Sequence, residues 1–421
     1  MSPDAARHDS TARVKRLQRI VAAALLCLIG VTWKLWTPLT EFPRVPFAQW
    51  ATGLPAWLDW VPAAVVVCGS IAVLVQRRDS RYGRAGQWLV VFGLPVSILL
   101  DQHRLQPWAY ELWLILAIPA LAQPSVSIRL LRIFVASIYV HSAVSKLDVA
   151  FFESHGRLLL SGLLDVCGLS DRLLPDAARN AMIGLFPVGE LLVGAGLLIP
   201  RTRRWALVGS LAMHALLLIT LGPLGLDHKP GVLVWNIAFI AQNLVLFGGS
   251  RHNVAAEPEG AAAADFRSGN AAAVVVAFVA TAAPLLQPLG WFDNWPAWAV
   301  YSARPSVVEI TVRDTRVNDL PVSLQAHVGP PPPLQEWRPV NIDAWSFAEL
   351  DCPVYPQERY RLAVALAIAD RAGLGDDMRV VLRGPPDRIT GERWSTRLNG
   401  RDEIAESCSG FFINTQARRI D

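Results

Sequence analysis

Lys146, Glu190 and His214 stand within or at the ends of apolar stretches of this sequence. Charge is costly in hydrocarbon, so such residues persist where they pair, meet water or act on a ligand. Lys146 falls in the run Ile138-Tyr139-Val140-His141-Ser142-Ala143-Val144-Ser145-Lys146-Leu147-Asp148. Helical steps of three and four put Tyr139, Ser142 and Lys146 on one stripe, with His141 and Ser145 on another face. A lysine flanked by two hydroxyls and facing a cavity is a usable base. Its plainer reading is an ammonium that snorkels to the interface. Glu190, between Pro187 and Gly194, is too deep for a short side chain to reach water, so it must be paired, protonated or set in a wet cavity. His214, at similar depth, is either a hydrogen-bonded core group or part of the same site. Convergence offsets the cost of burying each group alone, which predicts one outward-opening cavity lined by all three.

Asn236 and Asn243, one face of a single span, read as interhelical glue, with Asn236 also a candidate ligand contact. A second polar cluster runs from Asp101 through Gln102, His103, Arg104 and Gln106 to Trp108, Tyr110 and Glu111. It reads either as a solvated loop cap or, through Asp101, Trp108 and Tyr110, as part of a binding site. Of the five cysteines, Cys27 and Cys68 read as small packed hydrophobes, and no C-x-x-C or Cys/His spacing suggests a metal site.

These residues need a membrane frame to make sense. The 421 residues are 52% hydrophobic and 18% charged, against about 25% charged in a soluble globular chain. The net charge of +4 gathers in short basic runs beside apolar stretches, not in the stripe that nucleic acid requires. Apolar runs near 18–36, 58–76, 85–101, 108–123, 128–147, 181–200, 203–222, 231–249 and 271–289 are the expected spans. Arg77, Arg78, Arg81 and Arg84, then Arg201, Arg203 and Arg204, then Arg251 and Arg267 occupy alternate loops. With a cytoplasmic N-terminus every one of these loops lies inside, and the C-terminus lies outside. The Ala-rich stretch 254–272 becomes a cytoplasmic loop.

The expected fold is an all-α polytopic bundle followed by a small α+β extracytoplasmic domain: 1–17 a cytoplasmic tail, 18–290 the bundle, 291–421 the outer domain. Trp291, Trp295 and Trp298 mark the boundary. Strand periodicity appears at Val308, Ile310 and Val312, and again at Val322, Leu324, Ala326 and Val328. Pro356 to Ala372 reads as an amphipathic helix. In an oxidising compartment Cys352 and Cys408 are expected to pair.

The Lys146-Leu147-Asp148 run, with Phe151, Phe152 and Gly156 behind it, resembles the V-Y-F-I-A-G-V-K-K-L-D-A-D-W-x-x-G segment of vitamin K-dependent gamma-carboxylase and its bacterial relatives, the HTTM (horizontally transferred transmembrane) domain family. Leu100-Asp101 and Tyr110 fall on the family's L-D-K-x-x-W-N-N-H-x-Y segment. Gly189-Glu190-Leu191-Leu192 and His214 fall on its E-L-L and later H positions. Gln106-Pro107-Trp108 replaces N-N-H, and Ser145 replaces the first lysine. The likeness spans roughly residues 95–250. It implies an inner-membrane bundle in which Lys146 is the base that deprotonates a reduced quinone or another lipid-soluble acid, tuned by Glu190 or His214. The alternative is a non-catalytic protein that binds quinone or lipid, or anchors an assembly. A transporter and a haem held by His141 and His214 are further readings.

Overall fold

The computed structural model describes residues 3–76, 81–249 and 269–418. The chain is mostly helical, with a small antiparallel sheet in its C-terminal region. Among the described residues, seven helical segments are long and apolar enough to cross a membrane: Ala56–Val75, Arg81–Leu100, Pro124–Ser145, Asp176–Leu198, Arg203–Leu221, Pro230–Phe247 and Ala271–Leu289. The other two expected spans are weaker. Pro107–Leu121 is apolar but shorter. Pro3–Val31 carries Lys15, Arg16 and Arg19, so only its last part, from Ile20, is free of charge. Arg77, Arg78, Arg251, Arg267 and the Ala-rich stretch as far as residue 268 lie outside the described residues.

Two compact units divide the chain, and neither is continuous. The first comprises Met1–Leu28, Val67–Val91 and Pro107–Ala303; the second comprises Ile29–Val66, Phe92–Gln106 and Arg304–Asp421. The helices are α1 (Pro3–Val31), α2 (Trp33–Trp36), α3 (Trp60–Val75), α4 (Arg81–Leu100), α5 (Pro107–Leu121), α6 (Pro124–Ser145), α7 (Val149–Glu153), α8 (His155–Val166), α9 (Asp176–Leu198), α10 (Arg203–Leu221), α11 (Pro230–Phe247) and α12 (Ala271–Ala282). Proline opens α5, α6 and α11, where a missing N–H costs nothing. In the first unit α6 packs against α9, and α10 against α9 and α11. Asp148 of the Lys-Leu-Asp run caps α7 by accepting from Phe151 N at 2.7 Å, which seats the fully buried Phe151.

The second unit holds strands β1 (Val307–Arg313), β2 (Trp337–Val340), β3 (Met378–Arg383) and β4 (Ser395–Asn399), in the order β2-β1-β3-β4 with every pairing antiparallel. Its helices are α13 (Val322–Gln325), α14 (Ile342–Leu350), α15 (Glu358–Ala372) and α16 (Gly400–Ser409). Val308, Ile310 and Val312 point inward from β1 as their alternation predicts, and α15 packs against that strand. The second alternating run is not a strand. Pro321 presets the turn that starts α13, and only Val328 makes an isolated bridge, to Val340. The expected helix near 356–372 is α15, but it is buried on most sides and not amphipathic in use. Cys352 and Cys408 are buried free thiols, not a disulfide. Cys352 Sγ lies 3.7 Å from His103 Nε2, while Cys408 faces Thr415, whose hydroxyl bonds its carbonyl. Burial pushes both thiols up, that of Cys408 to about 11.

Candidate functional site

Glu190 reaches Lys146 because α9 can approach α6 closely at Gly194, one turn beyond the carboxylate. A Cβ on Gly194 would lie 2.9 Å from Val140 Cγ2 and 3.0 Å from both Ala136 O and Tyr139 Cβ. Only glycine tolerates that proximity without displacing a neighbour. Lys146 occupies the C-cap of α6, where a cation also meets the negative end of the helix dipole. It is 4% exposed. Its ammonium donates to Glu190 Oε2 at 3.0 Å, to Oε1 at 3.1 Å and to Ser142 Oγ at 2.6 Å.

A second polar group stands two helical turns away, about 10 Å along α6. Asn236 directs its Nδ2 to Val232 O at 2.8 Å, which leaves Oδ1 to face His214 Nδ1 at 2.8 Å. An amide oxygen only accepts, so Nδ1 carries the proton and Nε2 of the neutral ring is bare. The Tyr139 hydroxyl donates to that Nε2 at 2.7 Å and receives Asn243 Nδ2 at 2.6 Å, with Ser210 Oγ at 3.0 Å. Phe239 stacks on the imidazole at 4.7 Å between ring centroids.

Tyr139, Ser142, Lys146, Glu190, His214 and Asn236 all line one cavity of about 90 Å³ within the first unit. Its remaining wall is apolar and aromatic, with Met213, Leu217, Val232, Trp235, Phe239 and Trp298 among the lining. Other expected residues lie elsewhere. His141 gives Nε2 to Thr281 O at 2.8 Å, away from the cavity, so it does not face His214 as a haem pair would. Asp101 belongs to the second unit, where its Oδ1 accepts from Val45 N and His103 N. Trp108 is buried in α5, and Tyr110 packs on Trp298 at 5.6 Å. Among the described residues no group of His, Cys, Asp and Glu is arranged for a metal ion.

Three residues of consequence were given another role, or none, in the sequence reading. Glu111 is fully buried and accepts from Trp235 Nε1 and Gln242 Nε2, each at 2.5 Å, so it fixes an indole of the cavity wall. Its position inside an apolar run was signal enough, but it reads as the tail of the preceding polar loop. Trp298 and Tyr301 line the cavity with left-handed backbone, at φ 64° and 52°. Such conformations cost about 1–3 kcal/mol each and gather at ligand sites. The Trp298 indole nitrogen is buried without a hydrogen-bond partner. Tyr301 bonds His228 Nδ1 at 3.0 Å. Nothing in the sequence announces either backbone conformation.

No family model, curated protein or solved structure matches this chain. What the arrangement can do therefore rests on its chemistry. An ammonium–carboxylate pair with a hydroxyl beside it holds one mobile proton between two basic sites. A cation on the wall favours a ligand oxygen that accepts hydrogen bonds or carries negative charge.

Proposed function

We propose that the first unit is a membrane-embedded, HTTM-type helix bundle whose cavity binds a lipid-soluble weak acid and deprotonates it through Lys146. The observation that carries this reading is the pair of buried Lys146 and partly buried Glu190 on the wall of a largely apolar cavity. As an ammonium, Lys146 is not a base. Transfer of one proton to Glu190 needs no movement of heavy atoms and leaves a neutral amine. That amine takes the ligand's O–H proton: the O–H bond breaks, an N–H bond forms, and the renewed ammonium faces the new oxyanion. The net transfer is from ligand to Glu190, with Ser142 holding the amine in place. A reduced quinone is the cofactor the family likeness implies, and its phenolic head suits this wall: aromatic sides, with Lys146 as acceptor or counter-charge. In the same reading the protein lies in the inner membrane, with the N-terminus cytoplasmic and the second unit's C-terminal part outside.

The test uses para-nitrophenol, whose ionised form absorbs distinctly, with protein purified in mild detergent. Below the phenol's own ionisation range, the bound probe should show the phenolate band. Lys146→Met should remove the band and weaken binding about 10- to 100-fold, the loss of one charge-assisted hydrogen bond, while the variant still inserts and purifies as a single species. An unchanged band in Lys146→Met would exclude the lysine as the base. Binding without any ionised probe in the parent protein would favour the non-catalytic alternative, a quinone- or lipid-binding bundle.

A further inference from the structure

The second unit contains a short stretch, Phe47 to Trp60, whose outward side carries no charge. Trp50, Trp57 and Trp60 are 71%, 61% and 46% exposed, and the other exposed positions are Gln49, Gly53 and Pro55. The stretch is built of two 3-10 turns, Gln49–Gly53 and Ala56–Asp59, the second continuing into α3. Its one charged residue, Asp59, points inward and is fully buried. Arg44 Nη1, Arg104 Nη1 and Arg418 Nη1 all converge on that carboxylate, at 2.5, 3.0 and 2.8 Å. Inward, then, the segment is anchored by ion pairs; outward it offers indole rings and nothing ionised.

Bare indoles facing water need an explanation, because exposing several large aromatic rings together is unfavourable in a soluble protein. Continuity supplies one. The apolar segment Ala56–Val75 has 20 residues and is about 30 Å long, the thickness of a hydrocarbon core. If it spans, its first turn, which bears Trp57 and Trp60, lies at the headgroup level, where indoles are favoured for their apolar body and wet N–H. Trp50 precedes that turn in the same stretch and is also exposed.

We infer that Phe47–Trp60 rests in the lipid headgroup layer, with Trp50, Trp57 and Trp60 as its anchors, and that its partner is a neutral, zwitterionic lipid surface. This rests on the membrane reading above, but it is a separate claim. Crossing by α3 does not require the preceding turns to lie against lipid. The absence of outward lysine or arginine sets the expected lipid class: anionic headgroups should bring little gain, unlike at a polybasic surface segment.

The protein is reconstituted into phosphatidylcholine vesicles as parent, Trp50→Phe and Trp205→Phe. Trp205 is 77% exposed near the start of a candidate span and serves as the membrane reference. Difference spectra isolate each indole. Trp50's emission should be quenched by phosphatidylcholine brominated near the headgroup more than by lipid brominated deep in the chains, and it should resist iodide. Adding phosphatidylserine should leave that pattern unchanged. If Trp50 is quenched by iodide and not by brominated lipid while Trp205 is quenched by lipid, the membrane reading stands and the inference falls; that face is then open to another partner. If neither indole meets brominated lipid, both fall together.

Discussion

Buried and partly buried carboxylates in this protein are met in different ways. Glu190 has a lysine, Asp59 has three guanidiniums, Glu111 has only neutral donors, and Asp101 takes two backbone N–H groups. Asp101 makes a test at single-residue scale because His103 beside it responds to acid in the opposite sense. Burial raises the Asp101 carboxyl from 3.8 to about 6, and burial lowers the His103 imidazole from 6.5 to about 4. The folded state therefore holds the Asp101 proton longer than the unfolded chain does, so its contribution is present below pH 3.8 and is lost as pH rises through about 6. His103 works in reverse: its contribution is present above pH 6.5 and is lost as pH falls through about 4. In the parent the two slopes oppose each other between about pH 4 and 6. Melting temperatures in detergent should therefore rise with pH across that window in Asp101→Asn and fall in His103→Phe, with the parent between them. Identical profiles for all three proteins would sink the account. Glu190 and Lys146 were legible in the sequence because depth alone makes an ionisable group conspicuous. The Tyr139–His214–Asn236 chain was legible only as separate residues, since its tautomer depends on an amide's orientation that no spacing encodes.

Among the elements, the helices were readable from long apolar runs and their prolines, and β1 from its alternation. The run 322–328 alternates just as well, yet Pro321 and a local i to i+3 turn outweigh pattern there. The approach of α9 to α6 was not readable, because it turns on the missing side chain of Gly194. Gly194→Ala places a methyl group 2.9–3.0 Å from three atoms of α6, two of them backbone or Cβ. Such overpacking usually costs about 1–3 kcal/mol. The helices would part near the turn that carries Glu190, so the variant should melt lower and also bind para-nitrophenol less tightly than the parent. A variant as stable as the parent, with unchanged probe binding, would show that the helices do not depend on this contact. Gly189, which meets nothing within 4 Å, is the matched control: Gly189→Ala should leave both readouts alone.

For the whole chain the open quantity is how many times it crosses. Reading domains as consecutive stretches assigns 18–290 to one body, whereas Ile29–Val66 and Phe92–Gln106 fold with Arg304–Asp421. Composition could not reveal this, because the same apolar helix can serve two units. Seven crossings would put the termini on opposite sides, and so would nine if α1 and α5 also cross; eight would put them together. Charge argues for an odd number of crossings, seven or nine, and against eight. Lys15, Arg16 and Arg19 precede the apolar end of α1, while Arg201 lies between α9 and α10 and Arg203 and Arg204 open α10. With all nine crossing, both basic groups fall on the cytoplasmic side. If α1 alone fails to cross, the N-terminal basic group moves to the outer side while the other stays in, against the usual bias of lysine and arginine. Alkaline phosphatase fused after residue 300 should be active, the same enzyme fused after Arg201 should be silent, and green fluorescent protein at the N-terminus should fluoresce. Activity at Arg201 together with silence at 300 would invert the orientation. An active N-terminal alkaline phosphatase fusion, with activity at 300 retained, would mean an even number of crossings and would leave α1 or α5 inside the protein or along the interface.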